Sequence, residues 1–211
     1  MPPTPFSDVI TSAEDLRAIL GTPSDLVIRK QLDHLDRHAR DFIARSPFLL
    51  MGTTGADQLG DVSPRGDAPG FVAVLDDTTL VIPERPGNRR LDTLLNILHT
   101  GGVGLIFIVP GVEDTLRING RAFVVRDAAL LERTSAQGKR PLVAIGVEVK
   151  ECFFHCAKAF KRSHLWQPDC WPMRDGMASL AQILMDQVQP SGTSVEVLES
   201  QIAESYATRL Y

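Results

Sequence analysis

Thr115-Leu-Arg-Ile-Asn-Gly-Arg-Ala-Phe-Val-Val-Arg126 decides the fold class, because its apolar and polar residues alternate. A period of two places one set of side chains on each face of an extended strand. The apolar set consists of Leu116, Ile118, Ala122 and Val124. The segment therefore predicts a β-strand with one buried and one polar face, and Gly120 within it predicts a bulge.

Further short apolar runs also predict strands, and Gly, Asp and Pro turns separate them. They are Phe48–Thr54, Phe71–Leu75, Thr79–Ile82, Val103–Val109 and Leu142–Lys150. Few helices come between these strands, so hairpin connections and an antiparallel sheet are favoured over a parallel sheet. We predict an α+β protein built on a mainly antiparallel, six-stranded β-barrel that is closed or nearly closed.

Helical patterns precede and follow the strands. Ser12 to Asp15 resembles a capping box ahead of a helix that ends at Gly21, and Ser24 begins a second helix predicted to reach about Ser46. The apolar stripe of the second helix is Ile28, Leu32, Leu35, Ala39 and Phe42. The helices predicted after the strands are Phe153 to about Arg162, Met177–Val188 and Ser194–Arg209.

The 211 residues suffice for one domain with a sizeable core. We predict a single domain over 1–211, with a helical extension at 1–46, the barrel at 47–166 and a second helical extension at 167–211.

Composition excludes several classes of protein. The 22 Lys and Arg against 26 Asp and Glu give a net charge of −4, which argues against a nucleic-acid partner. No apolar run approaches the roughly 20 residues that span a bilayer, and the N-terminus lacks the pattern of a signal peptide. Three cysteines are too few, and an odd number, for a disulfide framework. A cytoplasmic protein without membrane attachment is expected.

Arg85-Pro-Gly-Asn-Arg-Arg-Leu91 is the segment that suggests a ligand. Asn88 is predicted to cap a helix that opens with Arg89 and Arg90 and runs to His99. The helix dipole already makes that end positive, so two guanidiniums there are unfavourable unless an anion binds. Arg85 adds a third cation. The alternative is that Arg89 and Arg90 point to solvent or pair with Asp92 and Glu84.

A second wall of this phosphate site is predicted from the loop Ser63-Pro64-Arg65-Gly66, which offers a hydroxyl, a guanidinium and a glycine. The sequence contains neither GxxxxGK[ST] nor GxGxxG, so it supports neither a nucleoside-triphosphate loop nor a dinucleotide fingerprint.

The order of these segments resembles the pyridoxamine 5′-phosphate oxidase-like flavoproteins. The resemblance covers roughly residues 45–166. Its motifs are Asp61-Val-Ser-Pro-Arg-Gly-Asp67, Leu80-Val-Ile-Pro83, Asn88-Arg-Arg-Leu-Asp-Thr-Leu-Leu-Asn96, Val103-Gly-Leu-Ile-Phe, Thr115-Leu-Arg-Ile-Asn-Gly-Arg-Ala122, His155-Cys-Ala-Lys158 and Leu165-Trp166. It implies a split β-barrel with FMN in a cleft between the two subunits of a homodimer.

By motif position, the resemblance implies a set of FMN-binding residues. Ser63, Arg65 and Gly66 would line the isoalloxazine ring and ribityl chain, and Ile82 and Pro83 would contact the ring through the backbone. Asn88, Arg89 and Arg90 would hold the phosphate. Lys158 and Trp166 would come from the other subunit. Either Arg65 or Lys158 would stabilise reduced, anionic FMN.

The C-terminal Trp…Arg segment of true pyridoxamine phosphate oxidases is not found in place. The expected function is therefore an FMN-dependent oxidoreductase acting on another small molecule. The alternative is a non-catalytic flavin-binding carrier or sensor, and deazaflavin or haem in place of FMN stays open. The sequence points to no catalytic residue, because Ser63 has no sequence-local base.

A third possibility is a zinc-stabilised structural protein, since cysteine and histidine are the usual zinc ligands. The spacing of Cys152, His155, Cys156, His164 and Cys170 matches no established pair of ligands. Buried cysteine is the preferred interpretation. His34 and His38 have chelating i, i+4 spacing, but a solvated or interfacial helix face is favoured for them.

Overall fold

The computed structural model describes residues 5–211. The chain divides into two compact units, one ending at Gln31 and the other spanning Leu32–Tyr211. Within the described residues no helix has both the length and the apolar character that a membrane span needs. The prediction of one domain over 1–211 stays a prediction.

The first unit contains α1, Ala13–Leu20, and α2, Asp25–Arg29. The Ser12 hydroxyl accepts a hydrogen bond from the backbone N–H of Asp15 at 3.0 Å, and Gly21 ends α1 at a φ of 78°. The capping signals that predicted this helix are confirmed.

The continuous second helix predicted from the sequence is wrong. The chain leaves the helix after α2 and resumes it only at α3, Arg37–Arg45. Leu32 instead exchanges two backbone hydrogen bonds with Cys152, at 2.9 and 2.8 Å. Asp36 then caps α3 by accepting from the N–H of Ala39 at 2.8 Å. The strand partner and the carboxylate cap both compete with a continuous helix, and they cannot be read from periodicity.

The second unit contains an antiparallel sheet in the order β2-β1-β5-β6-β7-β4-β3. The α+β class and the antiparallel sheet are thus confirmed. Its strands are β1 Phe48–Thr54, β2 Gly60–Gly66, β3 Ala73–Val74, β4 Thr79–Pro83, β5 Gly102–Ile108, β6 Thr115–Val125 and β7 Ala144–His155. The remaining helices are α4 Asp92–His99, α5 Ala128–Arg133, α6 Lys158–Ser163, α7 Leu180–Val188 and α8 Val195–Thr208.

The described sheet has seven strands, where six were predicted. The additional strand is β2, which the sequence analysis treated as the loop around Ser63. Its half-buried face consists of Asp61, Ser63 and Arg65. Because these alternating residues are polar, a search for alternating apolar residues does not detect the strand. Pro64 is tolerated because β2 is an edge strand.

The strand β7 is longer than predicted, and the helix predicted from Phe153 is wrong. Residues Cys152 to His155 pair with Ile118 to Thr115 of β6 and so continue the strand, and α6 begins only at Lys158. The predictions of α7 and α8 are confirmed to within a few residues, and their N-caps are Ser179 and Ser194.

The core of the second unit lies on one face of the curved sheet, against α3 and α4. The helices contribute Ala39, Ile43 and Ile97, and Leu35 from the segment before α3 joins them. The strands contribute a larger set with at most 2% exposure, including Leu49, Met51, Leu80, Ile82, Leu105, Phe107, Leu116, Ile118, Ile145 and Val147. This packing places the start of α4 beside β1 and β2, where the candidate site forms.

Replacing Gly120 with alanine is expected to destabilise the protein strongly. The predicted bulge is confirmed by a register shift between Asn119 and Gly120. A Cβ at Gly120 would lie 2.1 Å from the carbonyl oxygen of Glu148, a backbone atom that cannot move aside. We expect Gly120→Ala to lower the free energy of unfolding by about 3 kcal/mol in urea denaturation.

The matched control is Gly102→Ala, because Gly102 lies on the neighbouring strand with open space at its Cβ position. Its expected change is below about 1 kcal/mol. Equal effects of the two substitutions would contradict this account of the bulge.

Candidate functional site

A hydrogen-bonded network joins β2 to α4. Arg65 donates to the Ser63 hydroxyl at 3.1 Å, and the hydroxyls of Ser63 and Thr93 are 2.9 Å apart. Thr93 in turn donates to Asp61 at 3.3 Å. Because Thr93 gives its proton to Asp61, Ser63 must give its own to Thr93. The Ser63 hydroxyl is therefore committed to this network, which we call the β2–α4 polar cluster.

The same carboxylate also receives a second chain of donors. Asn96 of α4 donates to the hydroxyl of Thr53 at 3.1 Å, and Thr53 donates to Asp61 at 3.4 Å. Thr53 and Thr93 are 5% and 4% exposed, so both buried hydroxyls need these partners. The cluster fixes α4 against the edge of the sheet through side chains.

Arg65 also forms an ion pair with Glu84, the residue that follows β4. The guanidinium Nη2 lies 3.3 Å from the carboxylate Oε2, and both side chains are largely buried. The Nε of Arg65 and the Oε2 of Glu84 nevertheless make no hydrogen bond, because the nearby N–H is not aligned with that oxygen. Burial raises the pKa of Glu84, while the charge of Arg65 opposes the rise. The pair joins β2, at one edge of the sheet, to the end of β4, which β3 does not cover.

A second ion pair, between Asp67 and Arg85, repeats this connection. The Nε of Arg85 donates to the Asp67 carboxylate at 2.7 Å, and its Nη2 donates to the carbonyl of Thr134 at 3.0 Å. The interpretation of Arg85 as a third phosphate-binding cation is therefore wrong, since a buried partner 18 residues away already holds its charge. We call the pairs Arg65–Glu84 and Asp67–Arg85 the edge ion pairs.

The segment that carries the predicted phosphate ligands is a loop, residues 84–91, which we call the arginine loop. The predicted capping of a helix by Asn88 is wrong. Asn88 accepts from the backbone N–H of Arg90 at 3.0 Å, and α4 begins later, after Leu91. Arg89 and Leu91 both have φ values of 63°, in the left-handed region where side chains are strained. Such strain is often found at ligand sites.

The two later arginines of the arginine loop, Arg89 and Arg90, are exposed. Arg90 forms an ion pair with Asp92 at 2.8 Å, with 73% of its side chain exposed, so part of the alternative interpretation holds. Arg89 makes no hydrogen bond or ion pair with any residue in the described part of the chain. No side chain caps the start of α4. One free guanidinium, one weakly engaged guanidinium and uncapped N–H groups are thus close in sequence.

The predicted flavin-ring contacts lie at the end of β4. Ile82 and Pro83 are buried and pair with Ile145 and Ala144 of β7. On the other side of β4, β3 pairs only with Leu80 and Val81 in the described sheet. The backbone of the last two residues of β4 is therefore free of a strand partner on that side.

Gly66 ends β2 opposite Phe48. A Cβ there would lie 3.3 Å from Phe48 Cδ2 and 3.4 Å from the carbonyl oxygen of Pro47. Because Gly66 has no side chain, the ring of Phe48 can lie close against the end of β2.

Lys158 and Trp166 are not part of this arrangement within one chain. Lys158 is exposed at the start of α6. Trp166 stacks on Phe160 at 5.7 Å and donates to the carbonyl of Val112 at 2.9 Å, in the turn between β5 and β6. No described contact joins either residue to the β2–α4 polar cluster. Their role through a second subunit stays a prediction.

The cysteines and histidines considered for zinc are scattered. Cys152 is buried, and burial raises the pKa of its thiol to about 11, whereas Cys156 and Cys170 are exposed. His34 bonds to Asp33 and His164 to Gln167. Over residues 5–211, no three potential metal ligands of the His, Cys, Asp or Glu type converge.

Two surface cavities lie elsewhere in the second unit. One of about 380 Å³ is lined by residues between Arg126 and Leu142, and one of about 300 Å³ lies between the end of α4 and β6. Neither contains any of the ten predicted FMN ligands.

Sequence reasoning missed several members of the site. Glu84, Asp67, Thr93 and Tyr211 gave no local signal, because each acquires its role from a partner distant in sequence. Asp61 could have been found, since it alternates with Ser63 and Arg65 in a strand-like pattern.

A comparison with family models matches pyridoxamine 5′-phosphate oxidase to residues 35–156, more than half of the chain. The match contains all seven strands of the sheet. Among curated proteins no sequence matches this chain.

Several solved structures are similar to this chain. HupZ from Group A Streptococcus shares 20% identity at a TM-score of 0.47, over 56% of this chain and 92% of HupZ. A candidate pyridoxamine 5′-phosphate oxidase of Lactobacillus delbrueckii shares 22% identity at a TM-score of 0.46, covering 59% and 98% of the two chains. General Stress Protein 26 from Bacillus anthracis shares 13% at 0.43, covering 55% and 88%.

Asp67 is expected to contribute stability that depends on pH. Burial by itself would raise the pKa of Asp67, but hydrogen bonds from Tyr211, the Ala68 N–H and Arg85 outweigh it and hold the pKa below the usual 3.8. A lowered carboxyl pKa stabilises the folded state above the unfolded pKa, and this contribution is lost as the pH falls below about 4. At neutral pH, Asp67→Asn should lower the free energy of unfolding by about 3 kcal/mol.

The difference between wild type and Asp67→Asn should therefore shrink as urea denaturation is repeated from pH 7 to about pH 3. Asp175→Asn, at an exposed carboxylate, should leave the free energy of unfolding nearly unchanged throughout. If the difference in free energy of unfolding between wild type and Asp67→Asn stays constant with pH, the lowered pKa of Asp67 is contradicted.

Proposed function

This chain belongs to the pyridoxamine 5′-phosphate oxidase family, and we propose that it is an FMN-binding oxidoreductase acting on a small molecule. The observation that carries the proposal is the arginine loop. It presents Arg89 and Arg90 beside the uncapped start of α4 on a backbone strained at two residues. Positive charge, free N–H groups and close backbone approach are what a terminal phosphate requires.

The residues present fit the phosphate end of FMN. The guanidinium of Arg90 is held by an exposed ion pair with Asp92, a weak contact that can be exchanged for a phosphate. Within the described residues, Arg89 has no hydrogen-bond or ion-pair partner that it must give up when a phosphate binds. Asn88 orders the loop by accepting from the N–H of Arg90. We assign Asn88, Arg89 and Arg90 to the phosphate.

The residues at the other end of the site fit the ring and ribityl chain. Ser63 and Arg65 are held in place by the β2–α4 polar cluster, and Arg65 Nε is a buried donor without a partner. A buried unpaired donor is costly, and a ligand oxygen would satisfy it. Gly66, Ile82 and Pro83 add backbone surface. When bound, a flavin supplies hydride transfer, and this chain's residues orient it and set its electrostatic surroundings.

Arg65 would favour a negative charge near the ring, but Glu84 offsets part of its field. Lys158 is the alternative source of that positive charge, and it would have to come from a second subunit. Replacing Arg65 and Lys158 one at a time, and measuring the reduction potential of bound FMN, distinguishes these two sources of positive charge.

A homodimer with a split β-barrel in each subunit completes the proposal. The edge ion pairs support the barrel, because they draw β2 towards the end of β4 although no backbone hydrogen bonds join those strands in the described sheet. The outer face of β2, β1 and β5 supports the dimer. On β1, Phe48 and Leu50 are 37% and 36% exposed and pair with half-buried Ile108 and Ile106 of β5. On β2, Val62 pairs with Gly52 and is 67% exposed. A second copy would bury this apolar face.

The direct test is an absorbance spectrum of the purified protein and identification by mass of what it binds. We expect bound flavin, or a flavin spectrum after FMN is added. Arg89→Ala and Arg90→Ala should each weaken FMN binding by roughly tenfold or more in fluorescence titration, since each removes a charged contact to phosphate.

Arg126→Ala is the matched control, because Arg126 is equally exposed but lies in another part of the second unit. Its affinity for FMN should equal that of the wild type. A protein that binds no FMN overturns the proposal. A flavin that no reduced donor changes would instead favour a carrier or sensor.

Leu50→Asp should separate the dimer and weaken FMN binding together. A carboxylate at the centre of the apolar face would be buried unpaired in the dimer, at a cost of several kcal/mol. Analytical ultracentrifugation should find a dimer for the wild type and a monomer for the variant. Leu142→Asp, at a leucine that is 88% exposed, should remain dimeric. A wild-type monomer that binds FMN would refute the shared site.

A further inference from the structure

Asp67 lies at the centre of a buried cluster that includes the last residue of the sequence. Its side chain is 3% exposed. One carboxylate oxygen accepts from Arg85 at 2.7 Å, and the other accepts from the hydroxyl of Tyr211 at 2.6 Å and from the N–H of Ala68 at 2.7 Å. Tyr211 and Asp67 are 144 residues apart in sequence. The contact joins the segment after α8 to the end of β2.

Tyr211 contacts Arg85 as well as Asp67. The guanidinium carbon of Arg85 lies 5.5 Å from the centre of the tyrosine ring, within the range of a cation–π interaction. Lys139 adds a further contact by donating to the backbone oxygen of Tyr211 at 2.9 Å. The phenol thus orients the carboxylate, and the ring covers the arginine that the carboxylate binds.

The position of Arg85 matters because it begins the exposed part of the arginine loop. Arg85 is held by Asp67, by the carbonyl of Thr134 and by the ring of Tyr211. From Pro86 to Leu91 the residues are exposed. The loop is therefore anchored at one end by Arg85 and at the other by α4.

We propose that Tyr211 is a positioning residue for phosphate binding, which holds the arginine loop in its binding conformation through Asp67 and Arg85. This inference rests on the proposed function. Without the hydroxyl, Asp67 loses the donor that orients it towards Arg85, and the loop becomes more mobile. A mobile loop must be ordered when the ligand binds, which lowers affinity although no phosphate contact is removed.

The test is Tyr211→Phe, compared with Tyr206→Phe, since Tyr206 lies in α8 and is 60% exposed. The first measurement needs no flavin. Trypsin cleaves after arginine except before proline, so the arginine loop can be cut after Arg89 and Arg90 but not after Arg85. In FMN-free protein, Tyr211→Phe should be cut at these two bonds several-fold faster than the wild type or Tyr206→Phe. Arg85→Lys, which loses the two-sided guanidinium contact, should be cut faster in the same way.

The second measurement is FMN affinity, for which we expect a loss of roughly tenfold in Tyr211→Phe and none in Tyr206→Phe. Cleavage and affinity equal to those of the wild type would overturn the inference. Cleavage spread over the whole chain would also overturn it, because that pattern means general unfolding. If the wild type binds no FMN, the proposed function fails, while cleavage at Arg89 and Arg90 still decides whether Tyr211 holds the loop.

Discussion

The edge ion pairs are the contacts on which the site depends. The seven-stranded sheet is paired by backbone hydrogen bonds from β2 to β3, but within the described residues only side chains connect β2 to the segment after β4. Arg65–Glu84 and Asp67–Arg85 make that connection at neighbouring positions along both segments. They place the polar face of β2 next to the arginine loop. Without them, Ile82 and Pro83 at the end of β4 would lie on a separate edge of the sheet from Ser63 and Arg65.

These two ion pairs differ in how completely their charges are satisfied. Asp67 also accepts from the hydroxyl of Tyr211, and Arg85 also donates to the carbonyl of Thr134. These hydrogen bonds stabilise both charges, so the pair serves to position the chain. Arg65 and Glu84 lie farther apart, at 3.3 Å against 2.7 Å, and leave one buried donor and one buried acceptor without a hydrogen bond. Buried charge that is incompletely paired is costly and is most often found where a ligand or a chemical step uses it. The fully satisfied pair supports the loop, and in the proposed site the incompletely satisfied pair would face the flavin ring.

Much of the fold could be predicted because it depends on local patterns. Alternation identified β6, the glycine within it identified the bulge at Gly120, and the capping box at Ser12 identified α1. The two wrong helix predictions share one physical cause. The predicted second helix breaks where Leu32 pairs with Cys152, and the predicted helix at Phe153 is a strand because β6 supplies a partner. In each case a tertiary hydrogen-bond partner overrides a helical pattern that the local sequence permits.

By itself, the sequence determined the class of fold and the existence of a cationic segment at Arg85 to Arg90, since both follow from residues that are close along the chain. Only the tertiary structure decided which of these charges are available. Asp67 and Tyr211 hold Arg85, although they are 18 and 126 residues away from it in the chain. Arg89 stays free on a strained backbone. A charge binds a ligand most readily when no buried partner neutralises it, and such partners are brought together by folding rather than by sequence order.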